Sequence, residues 1–194
     1  MRELFVARHG ESELNVENVL NGDPAVRVGL TVRGEEQARA LGAAVGPIEL
    51  AAHTSFERTR RTAQLAWPDA KLLEVTQLDE IRFGRWEGTR WDHGYEAWVG
   101  SSRPEEECPG GGESRVVAAQ RYVRGFRMLL ERREERIAVV AHGAPVRYLL
   151  LAASGAPPSR ILERVPLAVG YRIGRAELEL AIEALEGWIS NPAF

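Results

Sequence analysis

Apolar residues follow two alternating patterns along the chain. Short, largely apolar runs at residues 4–7, 48–52, 71–75 and 137–141 end at polar residues, which is typical of buried strands. Between them, apolar residues recur every three or four positions at 31–45, 56–66, 113–133 and 146–153, which predicts amphipathic helices. Strands that alternate with helices build βαβ units, so the pattern predicts an α/β fold around a mostly parallel sheet.

Two stretches depart from this alternation. The periodicity fails over residues 79–112, where four large aromatic side chains cluster, and this predicts a lid or insertion over a site. Near the end, apolar residues alternate with smaller or polar ones at 167–173 and again at 178–182, with a turn near Gly174. This alternation predicts a C-terminal hairpin at one edge of the sheet, followed by a tail at 187–194.

Two histidines occupy equivalent places in the predicted sheet. His9 follows the first apolar run, His142 follows the run at 137–141, and each precedes a glycine. In open α/β sheets ligands bind at the carboxyl ends of the strands. A lone histidine there is usually structural, but here Arg8 is adjacent and Arg58 lies in the first turn of a predicted helix, where backbone amides favour an anion. The doubled arrangement therefore indicates an anion-binding site.

Phosphoryl transfer through a covalent intermediate fits this set of residues. One imidazole must be unprotonated to attack phosphorus, and neighbouring guanidinium groups lower its pKa, so we assign this role to His9. Arg8, Arg58 and a protonated or donating His142 can meet the phosphoryl oxygens with charge-assisted hydrogen bonds. With this positive charge available, no metal ion is required.

The reaction also needs a proton donor for the leaving oxygen. A carboxylic acid with a raised pKa can protonate that oxygen and later act as a base on water. Glu80 is the candidate, with Asp79 and Glu87 as rivals in the same segment. The residues alone do not rank the three.

A series of motifs runs through nearly the whole chain: Arg8-His9-Gly10-Glu11-Ser12 with Asn15, Leu30-Thr31 with Gly34 and Gln37-Ala38, Ser55 with Arg58-Thr59 and Thr62-Ala63, Leu78 with Glu80, Phe83-Gly84 and Trp86-Glu87-Gly88, Gly112-Glu113-Ser114 with Arg121, and His142-Gly143. In this order they resemble the histidine phosphatase superfamily, the phosphoglycerate-mutase-like proteins. Each motif is weak singly, and their order and completeness make the resemblance specific.

At 194 residues the chain is long enough for one buried core and short for two, so we expect a single domain over residues 1–194 that includes the lid at 79–112. The resemblance implies a three-layer α/β/α sandwich. It implies that His9 is phosphorylated, that Glu80 is the acid and that His142 is the second catalytic histidine. The implied phosphate or substrate contacts are Arg8, Asn15, Arg58, Gly22, Gly143 and Ala144, with no metal and no cofactor. The spacing at residues 23–29 departs from the family's usual pattern.

Composition narrows the possible partners and location. A formal net charge of −3 gives no general basic field, so we expect a small phosphorylated substrate and no nucleic acid. The sequence shows neither a signal peptide nor a run of about 18 apolar residues, so we expect a cytoplasmic protein without membrane contact. Cys108, the one cysteine, is predicted to be an inert loop thiol. The oligomeric state stays open, with a homodimer as one option.

Three functions fit the predicted site. The leading one is a metal-independent phosphatase of small phosphomonoesters. Phosphoglycerate mutase is its closest rival, but a mutase must shield its phosphohistidine from water, and the segment at 79–112 is brief. A non-catalytic phospho-ligand binder would usually have lost one of His9, Glu80 or His142, and all three are present.

Overall fold

Five strands form one sheet in the computed structural model, which describes residues 1–160 and 163–194. They are β1 (Glu3–Arg8), β2 (Leu50–His53), β3 (Lys71–Glu74), β4 (Arg136–Ala141) and β5 (Gly170–Gly174). Their order across the sheet is β3-β2-β4-β1-β5, with the first four parallel and β5 antiparallel to β1. The predicted α/β fold with a mostly parallel sheet is confirmed.

Helices connect the strands and cover both faces of the sheet. They are α1 (Glu13–Val16), α2 (Val32–Val45), α3 (Glu57–Ala66), α4 (Tyr95–Ser101), α5 (Arg115–Leu130), α6 (Gly143–Ala153) and α7 (Arg175–Ser190). Two short 3-10 helices lie at Thr76–Leu78 and Gly84–Trp86. Among the residues that the structure describes, no helix combines the length and the apolar character needed to cross a membrane.

The central strand β4 divides the hydrophobic core in two. Ile137 and Val139 pack in a larger cluster with α5, α6 and α7, whereas Ala138 and Val140 pack in a smaller one with α2 and α3. Successive side chains of a strand point to opposite faces, so a strand that is apolar throughout must be covered on both. This arrangement confirms the three-layer α/β/α sandwich.

The predicted C-terminal hairpin is wrong beyond its first strand. β5 does extend one edge of the sheet, but the predicted second strand lies within α7. Leu180 is 66% exposed, whereas buried positions recur at helical spacing at Leu178, Ala181, Ile182, Leu185 and Trp188. A helical face is needed here because α7 packs against both α5 and α6. The predicted tail is also too long, since α7 continues to Ser190.

The segment at 79–112 is built around one tyrosine. The rings of Trp86, Trp91 and Trp98 lie 5.6, 5.1 and 5.7 Å from that of Tyr95, so the aromatic cluster of the sequence is largely internal packing. The Cys108 thiol is buried and donates to the Phe83 carbonyl at 3.0 Å. Burial raises the pKa of this thiol to about 12, consistent with an inert side chain.

Candidate active site

The two histidines lie side by side because they follow neighbouring parallel strands. Arg8 at the end of β1 is in register with Ala141 at the end of β4, and the His9 amide donates to the Ala141 carbonyl at 3.0 Å. The two imidazole ring centres are 5.4 Å apart, and both rings are buried. The structure thus brings together the two residues that the sequence paired.

The hydrogen bonds of His9 identify its protonation state. Nδ1 lies 2.7 Å from the Gly10 carbonyl, and Arg58 Nε lies 3.1 Å from Nε2. A carbonyl only accepts and a guanidinium only donates, so Nδ1 carries the proton and Nε2 presents a lone pair. Burial, followed by the charges of Arg58 and Arg8, holds the pKa of His9 well below its usual value. His9 is therefore a neutral imidazole with a nucleophilic Nε2.

A chain of hydroxyl groups sets the tautomer of His142. Its Nε2 lies 2.8 Å from Thr54 Oγ1, which lies 2.8 Å from Thr59 Oγ1, and that hydroxyl donates to the Phe56 carbonyl at 2.8 Å. Since the last acceptor has no proton, the chain runs one way, from His142 Nε2–H through Thr54 to Thr59. Nδ1 is then the acceptor that faces Arg58 Nη2 at 3.3 Å.

Arg58 joins the two histidines to the loop after α1. Besides its contacts to both imidazoles, Nη1 donates to Asn21 Oδ1 and Nη2 to the Asn21 carbonyl at 3.0 Å. Burial, opposed in part by the charge of Glu80, lowers the pKa of Arg58 to about 10. Arg8 donates from Nη1 to the Val165 carbonyl at 3.1 Å. Among the described residues neither guanidinium forms an ion pair with a carboxylate, although most donors of Arg58 are taken up by the two histidines and Asn21.

The three candidate carboxylates have different partners, and these partners rank them. Glu80 accepts from the amides of Gly143 at 3.1 Å and Ala144 at 3.3 Å, which places it at the N-terminus of α6 beside the histidines. Burial raises the pKa of Glu80, which favours the protonated form that an acid needs. Asp79 instead binds the amide and hydroxyl of Ser55. Of these three carboxylates, only that of Glu80 lines the cavity that opens beside the two histidines.

The remaining rival, Glu87, has a structural role in a loop. It accepts from the Gly22 amide at 2.8 Å and from the Phe83 amide at 2.8 Å. The amide of Gly22, its only donor, is therefore bound to Glu87, and a phosphate could contact it only by replacing that carboxylate. A Cβ at Gly22 would also lie 2.2 Å from the Ile81 carbonyl, so this position needs glycine for packing.

The other predicted phosphate contacts lie near the histidines, but each of them already has a hydrogen-bond partner within the protein. Asn15 lines the cavity, although its Oδ1 accepts from the Ser12 amide at 3.0 Å. The amides of Gly143 and Ala144 donate to the Glu80 carboxylate, so a phosphate could bind these amides only by replacing that carboxylate. The sequence reasoning missed Asn21, whose position beside Gly22 was the available signal.

Comparison with known proteins identifies the family. The model of the histidine phosphatase superfamily (branch 1) matches residues 4–173. The chain belongs to this superfamily. The motifs at His9 and His142 both fall inside the matched range.

Relatives of this chain are named for different activities. It is 30% identical over 182 residues to a 2,3-bisphosphoglycerate-dependent phosphoglycerate mutase of Brucella ovis, covering 84% of this chain and 86% of the relative. A solved putative alpha-ribazole-5'-P phosphatase of Escherichia coli matches with a TM-score of 0.75 and 26% identity, covering 89% of each chain. A solved Thermus thermophilus protein matches with a TM-score of 0.67 and 34% identity, over 88% of this chain and 92% of its own.

A largely buried ion pair supports the segment that carries Glu80. Arg121 on α5 donates to the carboxylate of Glu113 at 2.7 and 3.0 Å and also to the carbonyls of Gln77, Asp79 and Glu80. The Glu113 carboxylate in turn accepts from the Arg82 amide at 3.1 Å. These hydrogen bonds fix the backbone on both sides of Glu80, and this limits where the Glu80 side chain can reach.

The histidines lie at one end of a cavity of about 790 Å³. Arg8, His9, Arg58 and Glu80 line the polar end, and His142 is fully buried beside them. The rest of the lining is mixed. Its apolar and aromatic members include Ile81, Phe83, Trp91, Tyr95, Val99, Ala118, Tyr122 and Tyr148, and its charged members are Glu11, Glu96, Arg115, Arg160, Glu163 and Arg164. The site therefore combines a cationic group around the histidines with further space whose walls are part apolar and part charged.

Proposed function

We propose that this protein is a metal-independent phosphatase that hydrolyses small phosphomonoesters through a phosphohistidine on His9. The observation that carries the proposal is the state of His9, a buried neutral imidazole whose Nε2 lone pair faces Arg58 at 3.1 Å. Such a nitrogen is nucleophilic near neutral pH, and the guanidinium beside it can bind the group under attack.

The first step forms the bond from His9 Nε2 to phosphorus and breaks the ester bond between phosphorus and the leaving oxygen. Glu80 gives its proton to that oxygen, so an alcohol leaves. A protonated carboxyl accepts hydrogen bonds more weakly than a carboxylate, so this form of Glu80 also releases the amides of Gly143 and Ala144 to the phosphoryl oxygens.

In the second step water attacks phosphorus as the bond to His9 breaks. The Glu80 carboxylate takes a proton from this water, and inorganic phosphate and neutral His9 are regenerated. Arg8 and Arg58 supply the positive charge that the phosphoryl oxygens need in both steps, so the mechanism assigns no role to a metal. The Nε2–H group of His142 already donates to Thr54, so His142 can donate a hydrogen bond to a phosphoryl oxygen only through a proton on Nδ1.

Phosphoglycerate mutase is the second candidate, favoured by the curated relatives that are 30% identical. The size of the cavity, about 790 Å³, supports the phosphatase, because phosphoglycerate is a small molecule that would leave much of this space empty. Free phosphate release should be measured beside interconversion of 2- and 3-phosphoglycerate, with alpha-ribazole 5'-phosphate included in a broad panel of phosphomonoesters. Interconversion without phosphate release would establish the mutase.

The intermediate itself provides the decisive test. Mass spectrometry after a rapid quench without acid should find a phosphoryl group on His9 in the presence of a phosphomonoester and EDTA. His9→Gln should abolish both the adduct and turnover, whereas His93→Gln, the same change at an exposed histidine, should alter neither. A protein with no adduct and no turnover on any substrate would be a phospho-ligand binder.

A further inference from the structure

Gly10, the residue after the proposed nucleophile, has to be a glycine. A Cβ at this position would lie 2.4 Å from the carbonyl oxygen of Gly34, a backbone atom in the first turn of α2. Glycine leaves its own backbone freer than any other residue does. Yet the Gly10 carbonyl is the group that accepts from His9 Nδ1 at 2.7 Å. The proton position on the nucleophile therefore depends on a residue that cannot fix its own conformation.

Thr62 on α3 fixes the peptide between His9 and Gly10. Its Oγ1 accepts from the Gly10 amide at 3.0 Å and donates to the Arg58 carbonyl at 2.7 Å. Thr62 and Gly10 are both buried, so this hydrogen bond lies in the interior. Arg58 lies one turn earlier on the same helix and contacts Nε2 of the nucleophile. One hydroxyl group thus joins the loop of the nucleophile to the helix that carries the guanidinium beside it.

Gln37 on α2 fixes the next peptide, between Gly10 and Glu11. Its Oε1 accepts from the Glu11 amide at 2.8 Å. That amide and the Gly10 carbonyl belong to one peptide group, so this hydrogen bond sets the plane in which the carbonyl meets His9. A peptide whose N–H is bound is also a stronger acceptor at its oxygen, because linked hydrogen bonds polarise one another. Gln37 therefore both orients and strengthens the acceptor.

Both side chains act on the site from outside the cavity. Within the part of the chain that the structure describes, neither Thr62 nor Gln37 belongs to the cavity lining. They belong to the motifs Thr62-Ala63 and Gln37-Ala38, to which the mechanism above assigns no role. Any effect of these two residues on the reaction must therefore pass through the loop of the nucleophile.

We propose that Thr62 and Gln37 are positioning residues of the nucleophile His9. They hold the two peptides on either side of Gly10, so that its carbonyl keeps the proton on Nδ1 and leaves Nε2 free to attack phosphorus. This inference rests on the proposed phosphatase activity and adds the residues that orient its nucleophile.

Paired variants of Thr62 test the assignment. Thr62→Val has nearly the same shape but leaves the Gly10 amide without its acceptor, whereas Thr62→Ser keeps the hydroxyl. With phenyl phosphate and rapid quench, the rate of His9 phosphorylation should fall about fivefold or more in the valine variant, the effect of one buried donor without a partner. The serine variant should stay near the wild-type rate. The Kd of inorganic phosphate should change by less than about twofold in both, because the groups that contact phosphate are kept.

Gln37, at a half-buried position, carries the same test if the valine variant does not fold. Gln37→Met keeps the length of the side chain but removes the oxygen that accepts from Glu11, so it should also slow phosphorylation. Gln37→Glu keeps an acceptor oxygen and should restore the rate. Gln120→Met, the same change at an exposed position on α5, is the control and should alter neither the rate nor phosphate binding.

A measurement without turnover separates this inference from the proposed activity. The Nδ1 proton of His9, assigned by NMR through its loss in His9→Gln, should exchange with water about fivefold faster or more in Thr62→Val than in the wild type. If this holds but no ester is hydrolysed, the phosphatase proposal fails and the positioning assignment stands. Wild-type exchange in the valine variant would overturn the assignment. So would a serine variant as slow as the valine variant, or phosphate binding that weakens as much as phosphorylation slows.

Discussion

Replacing Thr54 by valine tests how strongly stability and activity depend on the tautomer of His142. The Thr54 hydroxyl is the acceptor for His142 Nε2–H at 2.8 Å, and both residues are fully buried. Valine has nearly the same shape but no acceptor, so the N–H loses its partner in the interior. The ring cannot recover by moving the proton to Nδ1, because that atom faces the N–H of Arg58 Nη2 at 3.3 Å and two donors would then oppose each other.

The expected cost follows from this geometry. A buried donor left without a partner costs about 1–3 kcal/mol of unfolding free energy. For a chain of this size each kcal/mol lowers Tm by roughly 2–4 °C, so Thr54→Val should lower Tm by about 2–12 °C. A loss of the same size in the transition state would reduce kcat/KM by roughly 5- to 150-fold.

Thermal unfolding and steady-state phosphatase assays on two variants test the reasoning. Thr54→Ser keeps the hydroxyl and loses only the methyl group, so its kcat/KM should stay near the wild-type value. Thr54→Val should show the full loss in both measurements. If the serine and valine variants lose equal activity, or the valine variant matches the wild type, the hydroxyl chain does not control His142.

Three further predictions follow from the site and the core. Glu80→Gln, which cannot donate a carboxyl proton, should lower kcat/KM for alkyl phosphates by about 10²–10⁴-fold and for activated aryl phosphates much less; equal losses would argue against an acid. Arg58→Gln removes a charge that lowers the pKa of His9, so the acid limb of the kcat/KM profile should move to higher pH, because activity falls as pH drops through that pKa; an unmoved limb would contradict this. Gly42→Ala places a Cβ 2.0 Å from the carbonyl oxygen of the last residue of α3 and should cost about 1–3 kcal/mol in chemical denaturation. Gly187→Ala, a helical glycine with nothing within 4 Å, should instead stabilise by up to about 1 kcal/mol, and similar effects at the two sites would refute the packing argument.

Local pattern was sufficient for the sheet and for the pairing of the histidines. A short apolar run that ends in a polar residue and glycine has few other interpretations, and parallel strands bring their carboxyl ends to one edge. His9 and His142 could therefore be placed together from the sequence, as could the cations around them. The same local reasoning was wrong at 175–190, where Leu178, Leu180 and Ile182 fit a period of two. Only the need to cover α5 and α6 selects the helical face.

The choice among the three carboxylates needed the tertiary structure. Asp79, Glu80 and Glu87 lie within nine residues, and their chemistry is the same. They differ in the amides that they meet, and those amides come from distant parts of the chain, at Ser55, Gly143 and Gly22. No pattern within the segment encodes these partners.

The sequence by itself determined the class of fold, the position of the proposed nucleophile His9 and the charge around it, because each depends on residues close together in the chain or on the ends of adjacent strands. The tertiary structure alone decided which donors stay unpaired. Tyr122 and Tyr148 stand in helical patterns that predict ordinary core residues, and both are indeed buried. Whether a buried hydroxyl has a partner depends on every element packed around it, so only the folded chain shows that neither hydroxyl has one among the described residues.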